Sequence, residues 1–497
     1  MFTDCPADIL TEICNYLELR DVLSFILVCS SIWKLSDSRY FWISALERTR
    51  MRRELACPVG VDVSKLSIGD LRRIARLTYR LEENWNQDIP RVACAIKSVP
   101  FTPLSDRPEA TPAHILAAIP GTSLVVLHTQ EEDEDRITLC DSEGRAPLSS
   151  VCFAGTITCI AHSDEPGRHS IAVTATNRSE DGSSLHIFSV EYGDNKLPDI
   201  GEVFCLALSS HWQSPQEVFL CKDVVGIIPP KVENSAPPIL AINFVNSLSV
   251  KISTTTYAEL LTKLDRIYCA VVKGTPFIIA SGYICADVLR IYRCSLDVLP
   301  FAENTRWKDG DSIDMEDTFL LIDELRKTFP GGNDHYGDWE ALEVVLSPRG
   351  FRTLHFLYYQ YDGNVAHSVA GAFLRPGDVL YPRSRITHPD ELSMALTDPV
   401  NGDLGSYPRM DDSPFLLGSS PSGAYSVLVM QMFSEGDEQW RMCLLQYNWT
   451  TSEIDVRWPN IPSYIKLNEI FSVAIEERYG VIYLSHISGH LFALPYA

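Results

Sequence analysis

From about residue 92 onward the chain becomes a succession of short β-rich runs separated by Gly, Pro, Asn, Asp and Ser. Ser123–Thr129, Arg136–Cys140, Ser170–Thr176, Leu185–Glu191, Glu217–Cys221, Ile239–Val245 and Val288–Cys294 read as strands, as do Tyr425–Met432, Arg441–Tyr447, Phe471–Ile475, Val481–Ser485 and His490–Leu494. Many short strands at close spacing suggest an all-β sandwich, barrel or propeller. Roughly 400 residues is too much for one sandwich, whereas a propeller adds blades without one large core. The expected fold class is α+β multidomain: an N-terminal three-helix module, then a mainly-β domain over residues 92–497, an irregular six- or seven-bladed β-propeller. A pair of sandwiches is the structural alternative. Familiar repeat signatures are absent: no Trp is followed by Asp, and Gly331-Gly332 is a lone Gly-Gly pair.

The first fifty residues have a different period. Ile9, Leu10, Ile13, Cys14 and Leu17 recur at helical spacing, with Pro6 at the helix mouth, where its missing N–H costs little. Asp21 is placed to cap a second helix carrying Val22, Leu23, Phe25, Ile26, Val28 and Cys29. Ser38 is placed to cap a third, with Phe41, Trp42, Ala45 and Leu46 on its apolar face. So short a bundle is marginal by itself and holds more large apolar side chains than it can hide, so a partner surface is expected to complete it.

This order of residues resembles an F-box: Pro6-x-Asp8-Ile9-Leu10-x-Glu12-Ile13, then Tyr16-Leu17, an Asp21-x-Leu23 helix ending in Val28-Cys29, and a late Phe41-Trp42. The departure is Cys5, where the family has Leu. The resemblance implies a substrate-recognition subunit of an SCF-type (Skp–cullin–F-box) E3 ubiquitin ligase. It implies adaptor contacts at Pro6, Ile9, Leu10, Glu12, Ile13, Leu17, Leu23, Val28 and Trp42. The implied partners are a Skp-type adaptor, through it a cullin scaffold, and a protein substrate. The chain itself would be a non-catalytic adaptor subunit without cofactor. The alternatives are an F-box scaffold or regulator without a degradation target, or a β-propeller sugar-binding protein or enzyme with an unrelated helical cap.

The domain boundaries follow: residues 1–53 as the helical module, 54–91 as a linker with a helix at 67–85, and 92–497 as the β domain. The linker helix opens on Ser67-Ile68-Gly69-Asp70, a capping box with Asp for Glu. Leu71, Ile74, Ala75, Thr78, Leu81 and Trp85 share one face, expected to pack on the following domain. Its end, Leu81-Glu82-Glu83-Asn84-Trp85, is similar to the linker helix of fungal F-box proteins.

The net charge of −23 argues against a surface that tracks a nucleic-acid backbone. No run reaches the roughly 20 apolar residues of a membrane span, and Asp4 and Asp8 fall where a signal peptide's apolar core would lie. A cytoplasmic or nuclear location is expected. The fourteen cysteines form no Cys-x-x-Cys pair and read as small buried apolar residues or free thiols. The twelve histidines include no His-Glu-x-x-His motif and no close Cys/His pairing, so neither a metal site nor a catalytic set is expected. A short helix is expected at Asp317–Phe329 and a polar loop over 382–414. If the substrate carries a phosphate, the arginine pairs Arg383 and Arg385, or Arg349 and Arg352, are the candidates to bind it.

Overall fold

The computed structural model describes residues 6–101, 112–303 and 416–497 apart from short gaps, with single strands between 313 and 408. Between residues 253 and 415 the description is of backbone, with side chains given at Ile278 and over 294–302.

The N-terminal region contains five α-helices: α1 (Ala7–Cys14), α2 (Leu19–Phe25), α3 (Ser30–Trp33), α4 (Arg39–Arg50) and α5 (Ile68–Trp85). The second helix begins two residues ahead of Asp21, with Glu18 as its N-cap, so Asp21 sits in the first turn instead of capping it. Ser38 does cap α4, its Oγ accepting from Phe41 N at 3.5 Å. Ser67 caps α5, accepting from Asp70 N at 3.2 Å. The α5 residues buried are Leu71, Ile74, Ala75, Thr78, Leu81 and Trp85, the stripe that its periodicity marks.

That stripe serves two cores. Leu71, Ile74 and Ala75 join Leu10, Val22, Ile32, Trp42 and Leu46 in the core of the helical region. Leu81 and Trp85 instead join Tyr425, Val427, Leu484 and Tyr496 in a β core. The Trp85 ring lies edge-on to Tyr425 at 4.4 Å between centroids. The helix is therefore a shared spine between helices and sheets, where the sequence suggested a linker packed on one side.

The β region forms eight sheets among the described residues. The first contains Ala113–Ala118, Leu124–Gln130, Asp135–Asp141 and Pro147–Phe153. The second contains Gly155–Glu165, Arg168–Asn177, Ser183–Glu191 and Asp199–Leu208. A six-stranded third sheet starts at Glu217–Cys221, and a fourth spans Lys263–Val272 to Leu320–Arg326. Sheets of three and two strands follow, then a four-stranded one from Leu416–Ser419 to Glu453–Arg457. In the terminal sheet Lys97–Pro100 pairs antiparallel with His490–Pro495, so the start and end of the β region share one ladder.

Neighbouring sheets bury their faces against each other. Val126 and Leu139 of the first meet Ile171 and Val173 of the second, and Leu185 and Ile187 of the second meet Val225 and Ile227 of the third. Gly226 pairs with Phe219 across the third sheet, and a Cβ there would lie 1.8 Å from the Phe219 ring. The ring occupies the space that only glycine leaves open.

This architecture corrects the expected fold of three helices followed by a six- or seven-bladed propeller. Among the described residues the first fifty-three positions hold four α-helices instead of three, because the apolar positions between Ile26 and Trp42 are divided between a single turn at α3 and a 3-10 turn at Lys34–Asp37. Among the described residues the sheets are separate, none closes, and their strand numbers run from two to six, where strand density and length had suggested six or seven irregular blades. Two local readings also change. Asp317–Phe329 holds a strand, Leu320–Arg326, instead of a helix, because Leu320–Arg326 pairs with Val288–Ser295. The expected loop 382–414 carries strands at Met394–Leu396 and Val400–Pro408, the second paired with Val365–Gly371. Among the described residues no helix is long and apolar enough to cross a membrane.

Candidate docking surface and helix–sheet junction

The helical region is braced from inside. Trp42 is 2% exposed and its Nε1 donates to the Ser36 carbonyl at 2.7 Å. Arg72 of α5 donates to the same carbonyl at 2.7 Å and pairs with Asp37 at 2.6 Å. Arg39 donates to the Leu66 carbonyl at 2.9 Å, and Arg48 to the Leu17 carbonyl at 3.1 Å. These arginines satisfy carbonyls left over at helix ends and turns.

The residues implied as adaptor contacts divide by depth. Leu10 and Trp42 are core residues. Ile13, Leu17 and Leu23 are half-buried and packed on that core. Pro6, Ile9, Glu12 and Val28 lie at the surface. The structure adds four residues that the sequence reading did not assign to the surface: Tyr16, Leu27, Trp33 and Tyr40 are all exposed. Of thirteen exposed large hydrophobics among the described residues, six lie within the first forty positions. Together these six present on the order of 600 Å² of largely apolar surface, close to one partner's share of a standard interface. The signal available in the sequence was the surplus of apolar residues over the capacity of a small bundle. Arg349, Arg352, Arg383 and Arg385 lie outside the described residues.

A second chemical feature lies where helices meet sheets. Arg478, in the turn between Ile470–Glu476 and Val481–His486, pairs with Glu54 at 2.7 Å with both side chains at most 5% exposed. Arg478 also donates to the Cys57 carbonyl at 3.2 Å. Burial alone would lower the guanidinium pKa, but the carboxylates of Glu54 and Glu476 outweigh it and raise it. Glu476 accepts from Gly121 N and Tyr479 N, each at 2.8 Å, yet burial dominates and pushes its carboxyl up.

Electrostatic reach from Arg478 extends to Asp164, near the end of a hairpin in the second sheet. There His162, Asp164 and His169 come together, each offering a ligand atom within 4.8 Å of the others. Asp164 Oδ1 accepts a hydrogen bond from His169 Nδ1 at 2.6 Å, and His162 stacks on His169 at 5.5 Å. Burial, reinforced by His169, holds His162 down at about 4. The sequence reading found no metal set because it sought fixed motifs. The pattern His162-x-Asp164 followed by a turn and His169 becomes a cluster only through strand register. A second group, His186, Glu202 and Cys205, is also close enough to share an ion, but both ring nitrogens of His186 are already taken by Glu202 and Ser184.

No family model matches this chain, and no curated protein matches it. Among solved structures it is similar to a protein of unknown function from Desulfotomaculum acetoxidans DSM 771, with a TM-score of 0.33 and 11% identity over 64% of this chain and 74% of that one. It is also similar to a chain in the crystal structure of a mitotic checkpoint complex, with a TM-score of 0.37 and 10% identity over 81% of this chain and 95% of that one.

Proposed function

We propose that this chain is the substrate-recognition subunit of an SCF-type (Skp–cullin–F-box) ubiquitin ligase. Its helical region docks a Skp-type adaptor and its β region holds a protein substrate. The observation that carries this reading is a coincidence: the segment whose residue order resembles an F-box also has, among the described residues, the densest set of exposed large apolar side chains. Such surface calls for a covering partner. Leu10 and Trp42 support the surface from below, while Ile9, Val28 and Trp33 supply contact area. In this role the chain contributes proximity and orientation to ubiquitin transfer and no reactive group. The shared stripe of α5 and the buried Glu54–Arg478 pair favour a fixed angle between the two regions. Cytoplasm or nucleus is the compartment that such a ligase implies.

The test uses exposed positions so that folding is preserved. Ile9→Asp with Val28→Asp is expected to abolish co-purification of the adaptor from cells and leave the thermal melt unchanged. Retention of the adaptor by the folded double variant refutes the assignment. Profiling of ubiquitylated peptides after deletion of the chain then identifies the substrate as a peptide that loses its modification.

A further inference from the structure

We propose that His162, Asp164 and His169 form a binding site for a divalent first-row transition-metal ion of the zinc type, open to solvent on one side. All three residues belong to one hairpin, made by Gly155–Glu165 and Arg168–Asn177. His162 and Asp164 are two positions apart on a strand and so share a face. Asp164 pairs directly with His169 across the ladder, which brings the third side chain to the same face. Gly167, at a φ of 75°, makes the turn tight enough to bring His169 into that register.

The donor set is selective. Two imidazoles and one carboxylate suit zinc, iron, cobalt or nickel, whereas calcium and magnesium require oxygen ligands. Bonds of about 2.1 Å hold tetrahedral ligands roughly 3.4 Å apart, so ligand atoms already within 4.8 Å need modest rotamer adjustment to close on an ion. His169 is fully buried, its Nε2 has no hydrogen-bond partner, and its Nδ1 lies 2.6 Å from Asp164. That contact joins two of the three candidate ligands and gives way when both turn to one ion. Arg478 is the competing cation near Asp164, and Glu54 engages its guanidinium at 2.7 Å. His162 is solvent-accessible, so a three-residue site here leaves a coordination position for water or an exogenous ligand. This site is independent of adaptor docking.

The experiment uses the full chain, stripped with a chelator and titrated with Co²⁺ and then with Zn²⁺ in competition. One equivalent of Co²⁺ is expected to give visible d–d bands that Zn²⁺ displaces. His162→Ala, at an exposed position, and Asp164→Asn are each expected to weaken binding by at least about tenfold, with circular dichroism unchanged. His186→Ala is expected to bind normally. Absence of the bands overturns the proposal, as does a site that survives in both variants. Bands that disappear when the thiols are blocked also overturn it, because they assign the ion to cysteine. Should Asp164→Asn fail to fold, His162→Gln decides the outcome by the same criteria.

Discussion

Separating Glu54 from Arg478 gives the most informative test of how the helices are fixed to the sheets. The two groups lie 2.7 Å apart at no more than 5% exposure, so removing either one strands the other away from water. Breaking such a pair costs about 3–5 kcal/mol. Glu54→Leu is expected at the lower end, because Glu476 and Glu477 remain near the guanidinium. Arg478→Met is expected at the upper end, because it also takes the donor from the Cys57 carbonyl, a loss of about 1 kcal/mol. The double variant replaces both charges with apolar groups and should recover most of the loss, within about 1–2 kcal/mol of the parent. A chain with several cores does not guarantee a two-state melt, so native-state hydrogen exchange over residues 54–85 is the appropriate assay. Each 1.4 kcal/mol multiplies the open population tenfold, so the single variants should speed exchange in that segment by roughly 10²–10⁴. Additive effects of the two single changes, or singles that shift exchange less than about fivefold, refute the argument that this pair fixes the junction.

Three further outcomes follow from the same reasoning. Gly480→Ala places a methyl 2.1 Å from Leu81 at a φ of 66°, so it should loosen α5 by about 2–4 kcal/mol; equal rates of limited proteolysis across 54–92 in parent and variant would contradict this. His114 lies against Phe471 and near His128, and burial followed by the His128 charge lowers its pKa. The unfolded chain holds this proton at about 6.5 and the folded chain rejects it, so stability falls as pH drops from about 6.5 through the lower folded value; His114→Gln should flatten that acid limb, and an unaltered slope in denaturant titrations between pH 7 and 5 would count against it. Burial pushes the thiols of Cys140, Cys294 and Cys443 up to about 12, so iodoacetamide at pH 8 should label exposed Cys94 and Cys152 first; equal labelling rates measured by peptide mass spectrometry would contradict the burial.

Strands buried on both faces were legible because burial selects continuous apolar runs. Val224–Ile228 is an exception in position only: it is apolar throughout and buried, but it follows Glu217–Cys221 after a two-residue turn and merges with it when read as sequence. Pro147–Phe153 and Asp199–Leu208 were missed because they are largely exposed and carry polar residues on one side. The Leu71-to-Trp85 stripe was legible because a helix shows its buried face as a period of 3.6. Which core each half of that stripe would enter was not, since periodicity gives a direction and says nothing of the neighbour found there.

The sequence by itself determined the local elements: the amphipathic helices, the caps at Ser38 and Ser67, the strand-rich remainder and the excess of apolar residues in the first fifty positions. Each depends on side chains a few residues apart, whose interactions are set by backbone geometry. Tertiary structure alone decided the division of the sheets, the placement of Tyr16, Leu27, Trp33 and Tyr40 at the surface, and the pairing of Glu54 with Arg478. It also decided the convergence of His162, Asp164 and His169 on one hairpin face. The physical reason is the same in each case. Burial, ion pairing and metal-ligand geometry depend on distances between groups that the chain brings together only when register and packing are complete.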